Sequence, residues 1–233
     1  MAANTLASGM MTGVTNPATI WFRLAPGDMS LNENQPVKNW LYSAEERMRE
    51  VMLRSNLYNS LAFFYWTLGV FGTAALFAEE DFKDVVRFHA LPIGSFGIAT
   101  SPRGDVNELC RWFELTVKQL VDKFGIENVS DQVASAYKTG SWSGKYTVYH
   151  YIGTNDWAEY GKLDASNKPF VSIYYESGCP GDKFLRVSGY DYFPAMVARW
   201  SVTGEDSWGD SPGMVALPDI KGLQLTERRK LET

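Results

Sequence analysis

Reactive side chains are scarce in this chain. Its 233 residues include two cysteines, Cys110 and Cys179, and two histidines, His89 and His150. Their spacing matches no structural zinc pattern, which pairs ligands two to five residues apart, and each histidine sits in a strand-like segment where neighbours can satisfy it. Basic charge is also short. Against 27 Asp and Glu there are 22 Lys and Arg, a formal net charge of −5, so nothing argues for the clustered cations that grip phosphates. A cationic-then-apolar leader is missing from the N-terminus, which fits a reducing compartment. A core of this size needs no disulfide, and free buried thiols are the commoner state, although pairing of Cys110 with Cys179 stays open. No internal repeat or low-complexity stretch occurs.

The uncharged run Leu61 to Ala78 just reaches membrane-spanning length. Gly69, Gly72 and Thr73 interrupt it, and its Tyr and Trp lie mid-run rather than at the ends where interfacial aromatics belong. A buried helix running into a buried strand explains it better.

What the chain does hold is apolar and aromatic: 45% hydrophobic and 14% aromatic residues, enough for one or two compact domains. Residues 4–14 predict a short helix stopped by Asn16-Pro17, followed by an extended Trp21-Phe22-Arg23-Leu24. Apolar residues at Trp40, Leu41, Ala44, Met48, Val51 and Met52 have a helical period, with Glu45, Glu46, Arg47, Arg49 and Glu50 assigned to the other faces. Ser55-Asn56 marks a break or cap before a buried helix to about Leu68. From Gly72 to Leu115 the texture predicts three or four antiparallel strands.

Thr116-Val-Lys-Gln119 has the form of a capping box, opening a helix that ends at Phe124 before Gly125. Another short helix is expected over 128–138, and strands over 145–152, 170–176, 184–187 and 196–202. The polar stretch 153–168 reads as an exposed loop. Pro212 suits a first helical position, but Pro218 implies a second start, so the terminal helix is expected from Pro218 through Arg229. The chain then stops without a glycine cap, as if cut. The fold class is α+β: N-terminal helices packed on mostly antiparallel sheet, with a C-terminal helix. The expected divisions are 1–71, 72–203 and 204–233.

Three segments invite a chemical reading and each has a plainer one. Cys179 lies in the turn Ser177-Gly-Cys-Pro-Gly-Asp182, but reactivity needs a base or cation to lower the thiol pKa, and turn chemistry alone accounts for the glycines and proline. Gly140-Ser-Trp-Ser-Gly-Lys-Tyr146 echoes a phosphate loop, yet it is one residue short, has Tyr where Ser or Thr must bind magnesium, and precedes a strand rather than a helix. Trp40, Phe63, Phe64, Trp66 and Trp112 fall on apolar faces and are expected in the core. Trp142, Trp157, Tyr160 and Trp208 are expected to be exposed, as a ligand platform or a subunit contact. No catalytic, cofactor-binding or metal-ligating residue is nominated, because no convergent acid–base or nucleophile set can be assembled.

Two segments carry a family likeness: Ser8-Gly-Met-Met-Thr-Gly-Val-Thr-Asn-Pro-Ala-Thr-Ile-Trp-Phe-Arg-Leu24 and Trp208-Gly-Asp-Ser-Pro-Gly-Met-Val-Ala-Leu-Pro-Asp-Ile-Lys-Gly-Leu223. Between them, in order, come Phe71-Gly-Thr-Ala-Ala-Leu, Leu91-Pro-Ile-Gly-Ser-Phe, Phe113 to Gly125, Lys168-Pro-Phe, Ser188-Gly-Tyr-Asp-Tyr-Phe-Pro194 and Arg199-Trp200. Taken together they resemble the portal, or head-tail connector, proteins of short-tailed bacteriophages. Trp208 stands where such proteins often have Tyr.

The resemblance implies a structural virion protein rather than an enzyme. It would form a ring of about twelve subunits at a capsid vertex, closed by a heterologous interface. Its implied partners are further copies of itself, the terminase, the capsid protein, a tail adaptor and double-stranded DNA sliding through without sequence-specific contact; no cofactor or membrane is implied. It would reside at the portal vertex of the virion, and in the host cytoplasm during assembly. By this likeness 1–71 is the helical part of the wing, 72–203 the wing core and 204–233 the start of the stem, with an N-terminal arm, the remaining stem, clip and crown outside the chain. The main rival is an aromatic-rich carbohydrate-binding module.

Overall fold

The computed structural model describes residues 1–159, 161–162, 164–178 and 183–232. Tyr160 and Cys179, both singled out above, lie outside the described residues. The elements are α1 (Ala2–Val14), α2 (Gln35–Arg54), α3 (Leu57–Phe71), β1 (Thr73–Asp81), β2 (Val85–Leu91), β3 (Phe96–Thr100), β4 (Val106–Thr116), α4 (Val117–Phe124), α5 (Asp131–Lys138), β5 (Lys145–Thr154), β6 (Phe170–Glu176), β7 (Arg186–Tyr190), β8 (Ala195–Arg199) and α6 (Pro212–Glu232). This is the expected α+β arrangement, with antiparallel sheets and a C-terminal helix. The chain divides into two compact units: unit 1 is Met1–Ala90 with Met196–Thr233, and unit 2 is Leu91–Ala195.

Unit 1 packs α1 and α3 on a three-stranded sheet ordered β2-β1-β8. The uncharged run Leu61–Ala78 is the buried helix and strand that its glycines suggested: Leu61, Phe64, Tyr65 and Leu68 of α3 meet Ala74 and Leu76 of β1 in one cluster with Leu57, Ala7 and Phe88. No described helix is long and apolar enough to cross a membrane. The break between α2 and α3 falls at Ser55 and Asn56 as read, but Asn56 does not cap α3. Its amide instead clips β2, donating to the Phe88 carbonyl at 2.7 Å and accepting from the Phe88 N–H at 2.8 Å. Ser55 Oγ accepts from the Leu57 N–H at the start of α3.

Three expectations for unit 1 are corrected. Trp40 is 69% exposed and Phe63 40% exposed, rather than core. Glu45, assigned to a solvent face, is buried, because its carboxylate accepts the Leu24 N–H at 2.6 Å and so fastens the extended 21–24 segment to α2. The terminal helix begins at Pro212, not Pro218, which lies inside it.

Unit 2 is a five-stranded antiparallel sheet ordered β3-β4-β5-β6-β7. Helices α4 and α5, with Val129 between them, bury Val117, Leu120, Phe124 and Val133 against Val148 and Tyr174 of the sheet. The capping box forms as expected: Thr116 Oγ1 accepts the Gln119 N–H at 3.3 Å while Gln119 Oε1 accepts the Thr116 N–H at 2.9 Å. Gly125 ends α4 at φ 85° and ψ 151°, a conformation that no side-chain-bearing residue adopts readily, rather than the left-handed helical one. α5 starts three residues later than read, since Ser130 Oγ accepts the Val133 N–H and caps it. Trp112 is half-buried.

Candidate functional site

The glycine and small-hydroxyl residues of the C-terminal motif converge on the joint between α3 and β1 within unit 1. Gly72 terminates α3 at φ 79°, donating its N–H to the Leu68 carbonyl, and its own carbonyl accepts from the Trp200 N–H at 2.8 Å. A Cβ at Gly72 would lie 2.1 Å from the Gly209 carbonyl oxygen, and one at Gly209 would lie 2.5 Å from that of Gly72. Two stretches far apart in sequence thus touch backbone to backbone, which only glycine permits on both sides.

Hydroxyls lock this contact. Gly209 N–H donates to Thr73 Oγ1 at 2.8 Å, and the buried Ser211 donates from Oγ to the Val70 carbonyl at 2.6 Å while accepting the Met214 N–H at 2.9 Å. Ser211 is therefore both the N-terminal cap of α6 and its tether to α3. Asp210 N–H donates to the Ser201 carbonyl at 2.7 Å. At Gly213 a Cβ would stand 2.9 Å from the Val70 carbonyl oxygen. The N-terminal motif is pinned to the same unit: Thr15 Oγ1 lies 3.0 Å from Tyr65 Oη in a buried pair, and Trp21 Nε1 donates to Tyr58 Oη at 3.1 Å.

From this root α6 departs without burying a single described side chain. Val215 and Leu231 are 77% and 89% exposed, and Met214, Leu217, Ile220, Leu223 and Leu225 are exposed as well. At its base an apolar groove of about 620 Å³ is lined by Leu6, Val70, Phe71, Leu217 and Ile220 among others. Pro218 lies inside the helix and removes one backbone donor. That stretch is exposed, and the helix continues through it to Glu232. A contiguous apolar surface of this kind marks a site of protein contact.

The residues weighed for other chemistry are dispersed. His89 Nε2 lies 3.3 Å from Glu79 Oε2 in unit 1, and His150 is fully buried in unit 2. Cys110 is a free thiol whose pKa is raised by burial, opposed by a hydrogen bond with Tyr175. Tyr151 is pushed up to about 12 by burial and then by the Glu108 carboxylate. Among the described residues no cluster of His, Cys, Asp and Glu could hold a metal ion. In the phosphate-loop echo, the carbonyls of Gly144 and Trp142 accept from Val117 N–H and Lys118 N–H at the start of α4. The loop thus offers oxygens to a helix instead of amides to a phosphate. Trp142, Trp157 and Trp208 are exposed as expected, but Trp142 Nε1 is taken by the Tyr137 carbonyl, and Trp208 belongs to the other unit.

The whole chain also matches a known family. The family described as bacteriophage head to tail connecting protein matches residues 1–233 in full, and the chain belongs to it. Among its relatives, the portal protein of Salmonella phage epsilon15 is 46% identical over 233 residues, covering 100% of this chain and 42% of that protein. The probable portal protein of Bordetella phage BPP-1 is 39% identical over 231 residues, covering 99% of this chain and again 42% of the relative. The chain thus spans about two fifths of the length of these relatives.

Proposed function

We propose that this chain is the wing of a portal subunit together with the start of its stem, and that α6 enters the contacts that close subunits into a ring. The observation that carries this reading is the contrast along α6: fixed at Gly209–Met214 by backbone and hydroxyl bonds, bare from there to Glu232. A helix held at one end with apolar residues around its shaft is suited to neighbours on more than one side, as a heterologous ring interface requires. In this reading 1–71 and 72–203 form the wing and 204–233 opens the stem. The ring of about twelve copies sits at a capsid vertex of the virion, assembled in the host cytoplasm with capsid protein and tail adaptor. DNA driven by the terminase passes through it during packaging and leaves by the same route. The net charge of −5 suits a conduit, since every cation-phosphate contact would add affinity that opposes sliding. The role is structural, with no catalytic step assigned to any residue.

Electron microscopy of the complete reading frame that encodes this segment, purified without detergent, tests the proposal. Closed rings with a central hole are expected. Monodisperse monomers at high concentration would contradict it and would redirect attention to saccharide binding around Trp142 and Trp157.

A further inference from the structure

Unit 2 buries a set of ionisable groups for which the connector reading has no use. Register pairs Arg111 of β4 with His150 of β5, and His150 with Tyr174 of β6. His150 is fully buried, its ring stacked on Tyr174 with centroids 3.7 Å apart and planes 11° from parallel. Arg111 Nε donates to His150 Nδ1 at 3.0 Å, and His150 Nε2 lies 2.9 Å from Ser172 Oγ. A guanidinium N–H only donates. Nδ1 must therefore present a lone pair, which places the ring's proton on Nε2, donated to Ser172 Oγ.

The charged groups facing this stack come from every element around it. Arg111 itself lies over the Phe113 ring at 5.2 Å on β4. Arg186 of β7 and Lys123 of α4 stand 4.8 and 5.6 Å from the Tyr174 ring centre. Glu176 of β6, also buried, accepts the Ser130 N–H at 2.7 Å. Among the described residues, three cations thus border the pair and the carboxylate is committed to α5. A second ring proton would sit on Nδ1, opposing the Arg111 N–H donor to donor, and would add positive charge in a site closed to water.

We infer that His150 is an acid-sensitive pivot of unit 2: neutral with its proton on Nε2 in the folded sheet, and able to take a second proton only when the β4–β5–β6 packing opens. A histidine in the unfolded chain gains its proton below about pH 6.5. The unfolded state then binds one proton more than the folded state, so stability is present above that pH and falls as pH falls, with the unfolding constant rising about tenfold per pH unit.

Long-range proton–nitrogen NMR of the whole chain labelled in histidine tests this directly, because His89→Gln assigns the two rings. The expected result is a neutral His150 with the proton on Nε2, silent on acidification until the unit 2 amide signals collapse. His150→Asn keeps an acceptor for Arg111 and should abolish the tenfold-per-unit dependence between about pH 6.5 and about pH 4.5. A proton on Nδ1, or His150 titrating with unit 2 intact, would overturn the inference. Should His150→Asn fail to fold, the tautomer and titration of the unaltered chain decide the matter alone.

Discussion

Unit 1 and unit 2 bury polar groups of different kinds. In unit 1 these are mainly hydroxyls, Thr15, Ser60, Thr67, Thr73 and Ser211, with Glu45 the buried carboxylate. Ser60, Thr73, Ser211 and Glu45 bond to backbone at joints between elements. In unit 2 they are Arg111, His150, Ser172 and Glu176, spread across adjacent strands of one sheet. A hydroxyl bonded to backbone carries no charge to lose, so the crossings that hydroxyls hold in unit 1 do not depend on pH. A buried imidazole between cations makes the second core conditional on pH. One unit is built to fix where a helix leaves, the other to hold a sheet together.

The largest effect that would break this contrast is expected at the root of α6. Gly72→Ala adds a Cβ 2.1 Å from the Gly209 carbonyl oxygen at a φ of 79°, a clash of backbone against backbone that should cost about 4 kcal/mol or more. Calorimetry should show unit 1 destabilised or unfolded; a loss below about 1 kcal/mol would mean that the joint is not rigid.

Next in size is Asn56→Ala, which strips both partners from the Phe88 backbone at a half-buried site. Urea unfolding should report a loss of about 1–3 kcal/mol. Thr116→Ala in unit 2 removes the cap of α4 and should cost about 1 kcal/mol in the same measurement.

Acid titration sharpens the comparison further. The Asp84 and then Lys83 N–H groups hold the Asp81 carboxyl below its usual range, and the Ser30 hydroxyl and N–H do the same for Asp28. In unit 2 the Asn167 and Ser166 side chains lower Asp164. Depressed carboxyl pKa values stabilise above the unfolded value and lose that contribution as pH falls through the folded one. Both units therefore weaken below about pH 3.9, and in unit 2 the loss tied to His150 is expected to set in already below about pH 6.5. At the alkaline end Tyr151, pushed up to about 12 by burial and Glu108, should be among the last tyrosines to ionise in an ultraviolet titration. Its contribution is present below the ordinary tyrosine pKa near 10 and lost as pH rises toward 12.

Much of the fold was legible because its signals are local. The α4 capping box needs only Thr116 and Gln119, three residues apart, and the glycines in Leu61–Ala78 separate helix from strand within one run. What was missed depends on distant partners. Glu45 reads as a solvated helix charge until Leu24 N–H is found against it. Ser55-Asn56 reads as a break or cap, and nothing local shows that the Asn56 amide is spent on Phe88. Proline is a strong local signal, and by itself it points to a helix start at Pro218. The actual cap, Ser211, is held by Val70, 141 residues earlier. The candidate site was half visible: both motifs that build the root, Phe71-Gly-Thr and Gly209-Asp-Ser-Pro-Gly, stood out by family likeness, but nothing in either says that they touch. Trp40 reads as core because an apolar residue in helical period carries no mark of whether a neighbour covers it.

Hydrogen exchange along α6, compared between this chain alone and the assembled product of the complete reading frame, addresses the central claim most directly. Covered by neighbouring subunits, amides 214–217 and 219–231 should exchange at least about a hundredfold more slowly in the assembly than in the isolated chain. Equal rates in the two states would show that the bare helix stays bare, and would contradict its place in the ring interface.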